Sequence, residues 1–358
     1  MDNLNWTSIL QDIELGQAVL LIGHGFQAEA QGQLHPTLQA TLKERLLYFY
    51  AQDGLFLFQD SLAKTDARRE VASIFNNHAT DDSFLKKIAE MPFPLMVSTN
   101  PDKSLCELFT RFRLRLQFDY LSSNPSKAVD YAVERPAADK PLLYNLCGSI
   151  EDQESLILDY DDLFKLFKTL LADLKIPEYQ VRIPLKKATT FIFLGFHFEQ
   201  WYTQLFLRYL NQHDDQFQKN SSNYALSTTF RDDAMQQFFV QQFNVKYIGA
   251  DWSFFEELHR RFSEKYPHKM RKLVEELSAT ATTVVQLIEK ADYAAAFQMM
   301  RIFGAQLGED DRNLLTMTEA NHADYLKNKA DGTVSQENLG IEVARVRKNL
   351  IQLAKKLN

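Results

Sequence analysis

Four short apolar runs, each ending in a turn of small or polar residues, constrain the fold of this 358-residue chain most strongly. They occupy residues 18–22, 94–97, 142–146 and 190–194. Continuous apolar runs of this length are typical of parallel strands that are buried on both faces. Long segments with helical periodicity separate them, as right-handed crossovers require. The pattern predicts an α/β fold: a doubly wound, Rossmann-like, mainly parallel sheet with helical insertions.

The C-terminal part of the chain has a different pattern. Residues 244–248 are the last strand candidate, and beyond about Leu273 only helical periodicity remains. In the last segment six apolar residues recur at spacings of three and four, which places them on one helical stripe: Leu339, Val343, Val346, Leu350, Leu353 and Leu357. We therefore expect a first domain over residues 1–270 and a small all-helical domain over residues 275–358.

Composition excludes several classes of protein. The chain has 40 Lys and Arg against 47 Asp and Glu, a net charge of −7, which argues against direct nucleic-acid binding. No apolar run approaches the roughly 18 residues that span a bilayer, and the N-terminus lacks a signal-peptide pattern. We expect a cytoplasmic protein without a membrane anchor. Cys106 and Cys147 are the only cysteines, so no metal site is expected.

Two groups of basic residues need separate interpretations. Residues 259–272 carry six Lys and Arg, but Glu256, Glu257 and Glu264 interleave with them. We interpret this stretch as a solvated face. Residues 111–116 alternate arginine with Phe or Leu, which predicts an edge strand with one polar face.

The first apolar run leads into Gly23-His24-Gly25-Phe26-Gln27-Ala28. This segment matches the G-x-G-x-x-G/A spacing, in which glycines let the backbone approach a pyrophosphate. A tight strand-to-helix turn would explain the same residues. In a doubly wound sheet, ligands bind outside the carboxyl ends of the strands, so all four turns should line one crevice.

The second run leads into Ser98-Thr99-Asn100-Pro101-Asp102. The amide of Asn100 can hold a ribose hydroxyl or position a water molecule, and Asp102 can brace the loop. The alternative is an ordinary helix-capping turn.

Two further motifs, at residues 144–150 and 193–202, lie at the ends of the third and fourth apolar runs. With the glycine turn and the asparagine loop, they make residues 10–265 resemble the sirtuin-like NAD-consuming domains of bacterial antiphage systems. The lack of paired Cys-x-x-Cys motifs fits the defence branch, because deacetylase-type sirtuins carry a zinc ribbon.

The resemblance implies that NAD is bound as a substrate, without a metal. It implies catalytic roles for Asn100, Cys147 and His24. It also implies a set of cofactor-binding residues along the four turns: Gly23, Gly25, Phe26, Thr99, Asp102, Gly148, Ser149, Gly195 and Phe196.

Cys147 is the main departure from the family, which has its catalytic histidine at this position. A thiol with an ordinary pKa near 8.5 is mostly protonated at neutral pH and accepts a proton poorly. A helix N-terminus or a cation can lower a thiol pKa, or His24 can supply an imidazole from the opposite loop. A purely structural role for Cys147 as a small buried residue is the competing interpretation.

The C-terminal helices resemble the effector-associated domains of bacterial defence proteins, which recruit another protein by helix pairing. Together the resemblances imply an oligomeric antiphage effector that hydrolyses NAD to nicotinamide and ADP-ribose when another defence-system protein activates it. The alternative is a catalytically weakened scaffold or nucleotide sensor within a multi-protein defence complex. A helical cap that only completes the fold would explain the C-terminal pattern equally simply.

Overall fold

The computed structural model describes residues 4–23, 34–77, 82–124, 132–171, 176–196, 198, 200–211, 222–225, 233–248, 252–273, 281–304, 307–331 and 336–356. The chain divides into two compact units. The first comprises Met1–Phe109 and Arg115–Leu273, and the second comprises Thr110–Leu114 and Val274–Asn358.

A parallel sheet organises the first unit. In the described residues it has seven strands in the order β5-β6-β4-β1-β7-β8-β9, and all neighbouring strands are parallel. The strands are β1 Ala18–Ile22, β4 Leu95–Ser98, β5 Gln117–Tyr120, β6 Leu142–Asn145, β7 Thr190–Leu194, β8 Ser222–Ala225 and β9 Val245–Tyr247. The predicted doubly wound, Rossmann-like fold is confirmed, including the strand expected at residues 244–248.

Strand β1 lies at the centre of this sheet and sets its register. Ile22 at its end pairs with Ser98 of β4 and with Leu194 of β7. All five residues of β1 are buried, as expected for a strand covered by helices on both faces. The four predicted turns therefore leave the sheet from the same edge, in the order β6, β4, β1, β7.

Helices connect these strands and cover the sheet. They are α1 Trp6–Glu14, α2 Leu34–Leu42, α3 Ser61–Asn77, α4 Asp82–Glu90, α5 Ser104–Arg111, α6 Tyr160–Leu171, α7 Ile183–Lys187, α8 Trp201–Asn211, α9 Asp233–Phe243 and α10 Ser253–Lys265. Short 3₁₀ turns lie at Lys43–Arg45, Gln153–Ser155 and Pro267–Lys269, and a π turn lies at Glu178–Arg182. A core rich in aromatic residues joins sheet to helices, and it includes Tyr144, Phe167, Phe193, Phe198 and Phe239.

A hairpin lies between β1 and β4 in the chain. Its strands, β2 Leu46–Tyr50 and β3 Leu55–Phe58, form a separate antiparallel sheet. A second core cluster packs the hairpin against α2, α3 and the segment after β6, and it includes Leu42, Phe56, Val71, Ile150 and Leu158. The backbone N–H of Phe56 also donates to the carbonyl of Leu158 at 2.9 Å.

The edge strand predicted at residues 111–116 is wrong. Arg111 is instead the last residue of α5, and Arg113 has a φ of 55°, a left-handed backbone conformation that no extended strand contains. The actual edge strand, β5, begins at Gln117. Alternating arginine and apolar residues thus fit the end of an amphipathic helix followed by a turn.

The second unit is helical in its described part. Its helices are α11 Ala281–Glu289, α12 Tyr293–Ile302, α13 Glu309–Asp331 and α14 Gln336–Ala354. Three residues of the apolar stripe predicted for the last segment face the core, because Val346, Leu350 and Leu353 are buried together with Val284 and Phe297. Leu339 and Val343 are partly buried, and Leu357 lies outside the described residues. Among the helices that the structure describes, none is long and apolar enough to cross a membrane.

The basic stretch at residues 259–272 is largely a solvated face, as predicted. Arg260 pairs with Glu257 and Glu264, and its side chain is 52% exposed. Arg271 is the exception, because its guanidinium donates to the backbone carbonyls of Ala89, Met91, Phe93 and Ala138. Burial lowers the pKa of Arg271 to about 9, so the group still carries its charge at neutral pH. Arg271 therefore fixes the chain that enters β4.

We predict that Arg271→Met lowers the free energy of unfolding by about 3 kcal/mol, because carbonyls paired with a charged donor lose that partner. Urea denaturation of the full chain measures this. Arg69→Met is the matched control, since the Arg69 side chain is 68% exposed, and its effect should stay within about 0.5 kcal/mol. Equal effects of the two variants would contradict the assigned role of Arg271.

Candidate functional site

The carboxyl edge of the sheet holds the candidate site. Strand β1 is followed in the sheet by β4 on one side and by β7 on the other, so the direction of winding reverses next to β1. In open α/β sheets the crevice at such a switch point is where ligands bind. The described turn residues Gly23, Asn100, Cys147 and Gly195 follow β1, β4, β6 and β7 on this one edge.

Gly23 and Gly195 meet at the switch point. The N–H of Gly23 donates to the carbonyl of Leu194 at 2.7 Å. A Cβ atom at Gly23 would lie 2.8 Å from the Cα of Phe196 and even closer to the backbone of Gly195. Only glycine allows β1 and β7 to end in such close contact. Gly25 and Phe26, predicted to contact the pyrophosphate, and His24 lie outside the described residues.

The loop after β4 presents Thr99 and Asn100. The N–H of Thr99 donates to the carbonyl of Ile22 at 2.8 Å, and the N–H of Asn100 donates to Ser98 Oγ at 2.9 Å. Asn100 is only 5% exposed, and its side-chain amide makes no hydrogen bond with the described residues. The amide is thus held in place by its backbone and remains available to a ligand.

Asp102 braces the same loop, as the sequence predicted. Its carboxylate accepts from the N–H of Ser104 at 2.9 Å, at the start of α5. Its backbone carbonyl accepts from the side chain of Asn145 at 3.4 Å. These contacts support the loop, and they occupy Asp102 with protein groups.

Gly148 and Ser149 form a tight turn after β6. Gly148 has a φ of 87°, and an added Cβ would lie 2.6 Å from Ser155 Oγ. The N–H of Ser149 donates to the same Ser155 Oγ at 2.9 Å. Neither Gly148 nor Ser149 lines the cavity described below. The requirement for glycine here comes from packing against Ser155.

Cys147 lies beside Asn100 in a small cavity. Burial raises the pKa of the Cys147 thiol to about 12, and no cation lowers it. At neutral pH the thiol therefore keeps its proton. Among the described residues no cation offsets the effect of burial on this thiol, and His24, the other source of a base considered from the sequence, lies outside them.

The cavity has a volume of about 100 Å³. Its polar walls are Thr99, Asn100 and Cys147 from the sheet edge, Tyr202 from α8 and Asp53 from the hairpin turn. Pockets that enclose whole ligands usually measure roughly 300–1,000 Å³. The cavity thus accommodates one small ring or a few water molecules, whereas a dinucleotide would also extend along the sheet edge.

Asp53 and its tyrosine neighbours were not identified from the sequence. Tyr160 Oη donates to Asp53 Oδ2, and Tyr202 Oη donates to the backbone carbonyl of Asp53 at 2.9 Å. The only available signal was Asp53-Gly54, a dipeptide typical of hairpin turns, which predicts a turn and no chemistry. The tertiary fold alone brings this turn to the sheet edge.

Comparison with known families agrees with both resemblances. Residues 94–248 match the SIR2-like domain family, and residues 279–358 match effector-associated domain 11. The chain therefore carries a SIR2-like domain followed by an effector-associated domain. The first match covers the turns after β4, β6 and β7, and it begins after the Gly23 turn. A search of curated proteins gave no match.

SIR2-like domains bind NAD. Within the part of the chain that the structure describes, His, Cys, Asp and Glu side chains form no group arranged to hold a metal ion.

We predict that Gly148→Ala destabilises the chain by at least about 2 kcal/mol, because alanine is strained at positive φ and its Cβ meets Ser155. Gly340→Ala is a control of opposite sign. Gly340 lies within α14 with open space around it, so alanine should raise stability by about 0.5–1 kcal/mol. Urea denaturation measures both, and a neutral Gly148→Ala would contradict the packing argument.

Proposed function

We propose that this protein is an antiphage effector that hydrolyses NAD to nicotinamide and ADP-ribose when another defence-system protein activates it. The SIR2-like and effector-associated domains fit a defence effector. In this proposal residues 1–270 bind and cleave NAD, and residues 275–358 recruit the partner. The proposed protein acts in the cytoplasm as an oligomer.

One observation carries the enzymatic part of the proposal. The amide of Asn100 is buried, without a protein partner among the described residues, at the end of β4 next to the switch point of the sheet. An amide held this way can bind a ribose hydroxyl and an attacking water at once. Thr99, Gly23, Gly195 and Phe196 would then line the path of the rest of the dinucleotide.

The proposed reaction breaks the bond between C1′ of the ribose and N1 of nicotinamide. The bonding electron pair moves to the nicotinamide ring, which leaves as a neutral molecule, and positive charge develops on the ribose. Water then bonds to C1′ and loses a proton. Asn100 would position the ribose and the water for this step.

The C-terminal unit supports the recruitment part of the proposal. Large apolar side chains of this unit are exposed to solvent. Met317 on α13 is 65% exposed, and Ile341 on α14 is 62% exposed. Apolar residues exposed on paired helices can bind a further helix. The proposed partner would therefore be a protein that offers a helical surface.

The second candidate function is a scaffold or nucleotide sensor, and the state of Cys147 favours it. The family's base position holds a thiol whose pKa is raised to about 12 by burial. Loss of a positioned base typically costs 10²- to 10⁴-fold in rate. A domain with no other base would bind NAD and release it unchanged.

We predict that Asn100→Ala lowers the rate of NAD hydrolysis at least about 100-fold, because positioning of water and ribose is lost. The full chain is incubated with NAD, alone and with lysate of phage-infected bacteria as a source of activator, and released nicotinamide is separated by chromatography. Gln241→Ala, which removes an amide at an exposed position of α9, is the control. Intact NAD in every wild-type reaction would refute the enzymatic proposal.

Cys147→His separates the two candidate functions in the same assay. If the wild type is inert and the histidine variant hydrolyses NAD, the domain is a weakened enzyme that acts as a scaffold or sensor. If the wild type already hydrolyses NAD, the histidine should change the rate less than Asn100→Ala does. Equal binding of ADP-ribose by both proteins, measured by calorimetry, shows that the pocket is intact.

A further inference from the structure

The cavity beside Asn100 offers few groups that can accept a proton. Of its described lining residues, Asp53, Cys147 and Tyr202 are titratable. Burial raises the pKa of Cys147 to about 12 and raises the pKa of Tyr202 well above its ordinary value. Both groups therefore keep their protons at neutral pH, where a carboxylic acid is ordinarily ionised.

The position of Asp53 is fixed from several sides. It lies in the turn between β2 and β3, where its N–H donates to the carbonyl of Tyr50 at 3.1 Å. Gly54 follows with a φ of 70°, which closes the turn. Tyr202 donates to the Asp53 backbone carbonyl, and Tyr160 donates to its Oδ2. The carboxylate thus has a defined direction before any ligand binds.

The second carboxylate oxygen has no such contact. Asp53 Oδ1 is buried and has no hydrogen-bond partner among the described residues. A buried carboxylate oxygen without a donor is costly, and such atoms are rare in folded proteins. Asp53 lies in the wall of the cavity, where a bound ligand or a water molecule can donate the missing hydrogen bond to Oδ1.

We propose that Asp53 is the catalytic base of the site, and that its Oδ1 accepts the proton of the water that attacks the ribose. This inference rests on the proposed NAD hydrolysis. As the water oxygen bonds to C1′, its proton moves to Oδ1, and the neutral nicotinamide leaves with the electron pair of the broken bond. The protonated Asp53 then releases the proton to solvent, which balances the reaction.

The surroundings of Asp53 suit this role. Among the described residues, the titratable groups near it are the phenols of Tyr160 and Tyr202 and the thiol of Cys147. Tyr50 packs against Tyr160 at a ring distance of 5.0 Å. Burial and the hydrogen bond to Asp53 raise the pKa of Tyr160 to about 12, so Tyr160 remains a donor to Oδ2. The hydrogen bond from Tyr160 holds Oδ2 in place and leaves Oδ1 as the acceptor oxygen without a partner among the described residues.

The test compares the full-length wild type and Asp53→Asn, with NAD and the activating lysate, at neutral pH. We expect kcat/KM of the variant to fall at least about 100-fold near neutral pH. ADP-ribose affinity, measured by calorimetry, should change less than about threefold, since the amide keeps the size of the carboxylate. Asp66→Asn, a surface change on α3 with a side chain that is 40% exposed, should leave the rate unchanged.

Tyr160→Phe is a second variant that keeps the carboxylate. Without the phenol, Oδ2 loses its donor but the carboxylate and its Oδ1 remain, so kcat/KM should fall by less than about a tenth of the loss seen in Asp53→Asn. This difference distinguishes a base from a residue that only supports the hairpin, because loss of the supporting contact would lower the rate equally in the two variants.

The outcomes separate the two proposals. An active wild type with an unaffected Asp53→Asn variant overturns the role of Asp53 and leaves NAD hydrolysis standing. A wild type that binds ADP-ribose yet releases no nicotinamide refutes both. Equal rate losses in Asp53→Asn and Tyr160→Phe also overturn the base assignment.

Discussion

The parallel pairing of β1 with β4 on one side and with β7 on the other is the constraint on which the candidate site depends. Because Ile22 pairs with both Ser98 and Leu194, the turns that follow all begin at the same height on one edge. The close backbone contact between Gly23 and Gly195 then narrows the crevice at the point where the winding reverses. Residues distant in the sequence lie close together at this edge because β4 and β7 end level with β1.

The chemistry of the site follows from burial more than from any motif. The environment that packs Cys147 into the core also keeps its thiol protonated. The same environment leaves the side-chain amide of Asn100 and one carboxylate oxygen of Asp53 without hydrogen-bond partners among the described residues. The cavity therefore combines a buried amide from the sheet edge with a carboxylate from the hairpin. In the proposed reaction the base comes from the hairpin and not from the Cys147 turn.

Much of the fold could be predicted from the sequence because apolar runs report burial on both faces of a parallel sheet. Asn100 and Cys147 could be placed together for the same reason, since each directly follows such a run. Asp53 could not, because its proximity to Asn100 arises from packing of a hairpin whose local sequence specifies only a turn. Residues 111–116 misled the prediction, because two-residue alternation over a short stretch also fits a helix end followed by a left-handed residue.

The hairpin packs at the sheet edge through a small core cluster and a backbone hydrogen bond from Phe56 to Leu158. Tyr160 and Tyr202 also donate to Asp53 in the hairpin turn. The hairpin supplies one wall of the cavity, whereas the opposite wall belongs to the seven-stranded sheet. A displacement of the hairpin by a few ångströms would thus separate Asp53 from Asn100 without breaking a strand pairing of the main sheet. Assembly of the cavity and stability of the domain are consequently separable, so that one can be altered while the other is preserved.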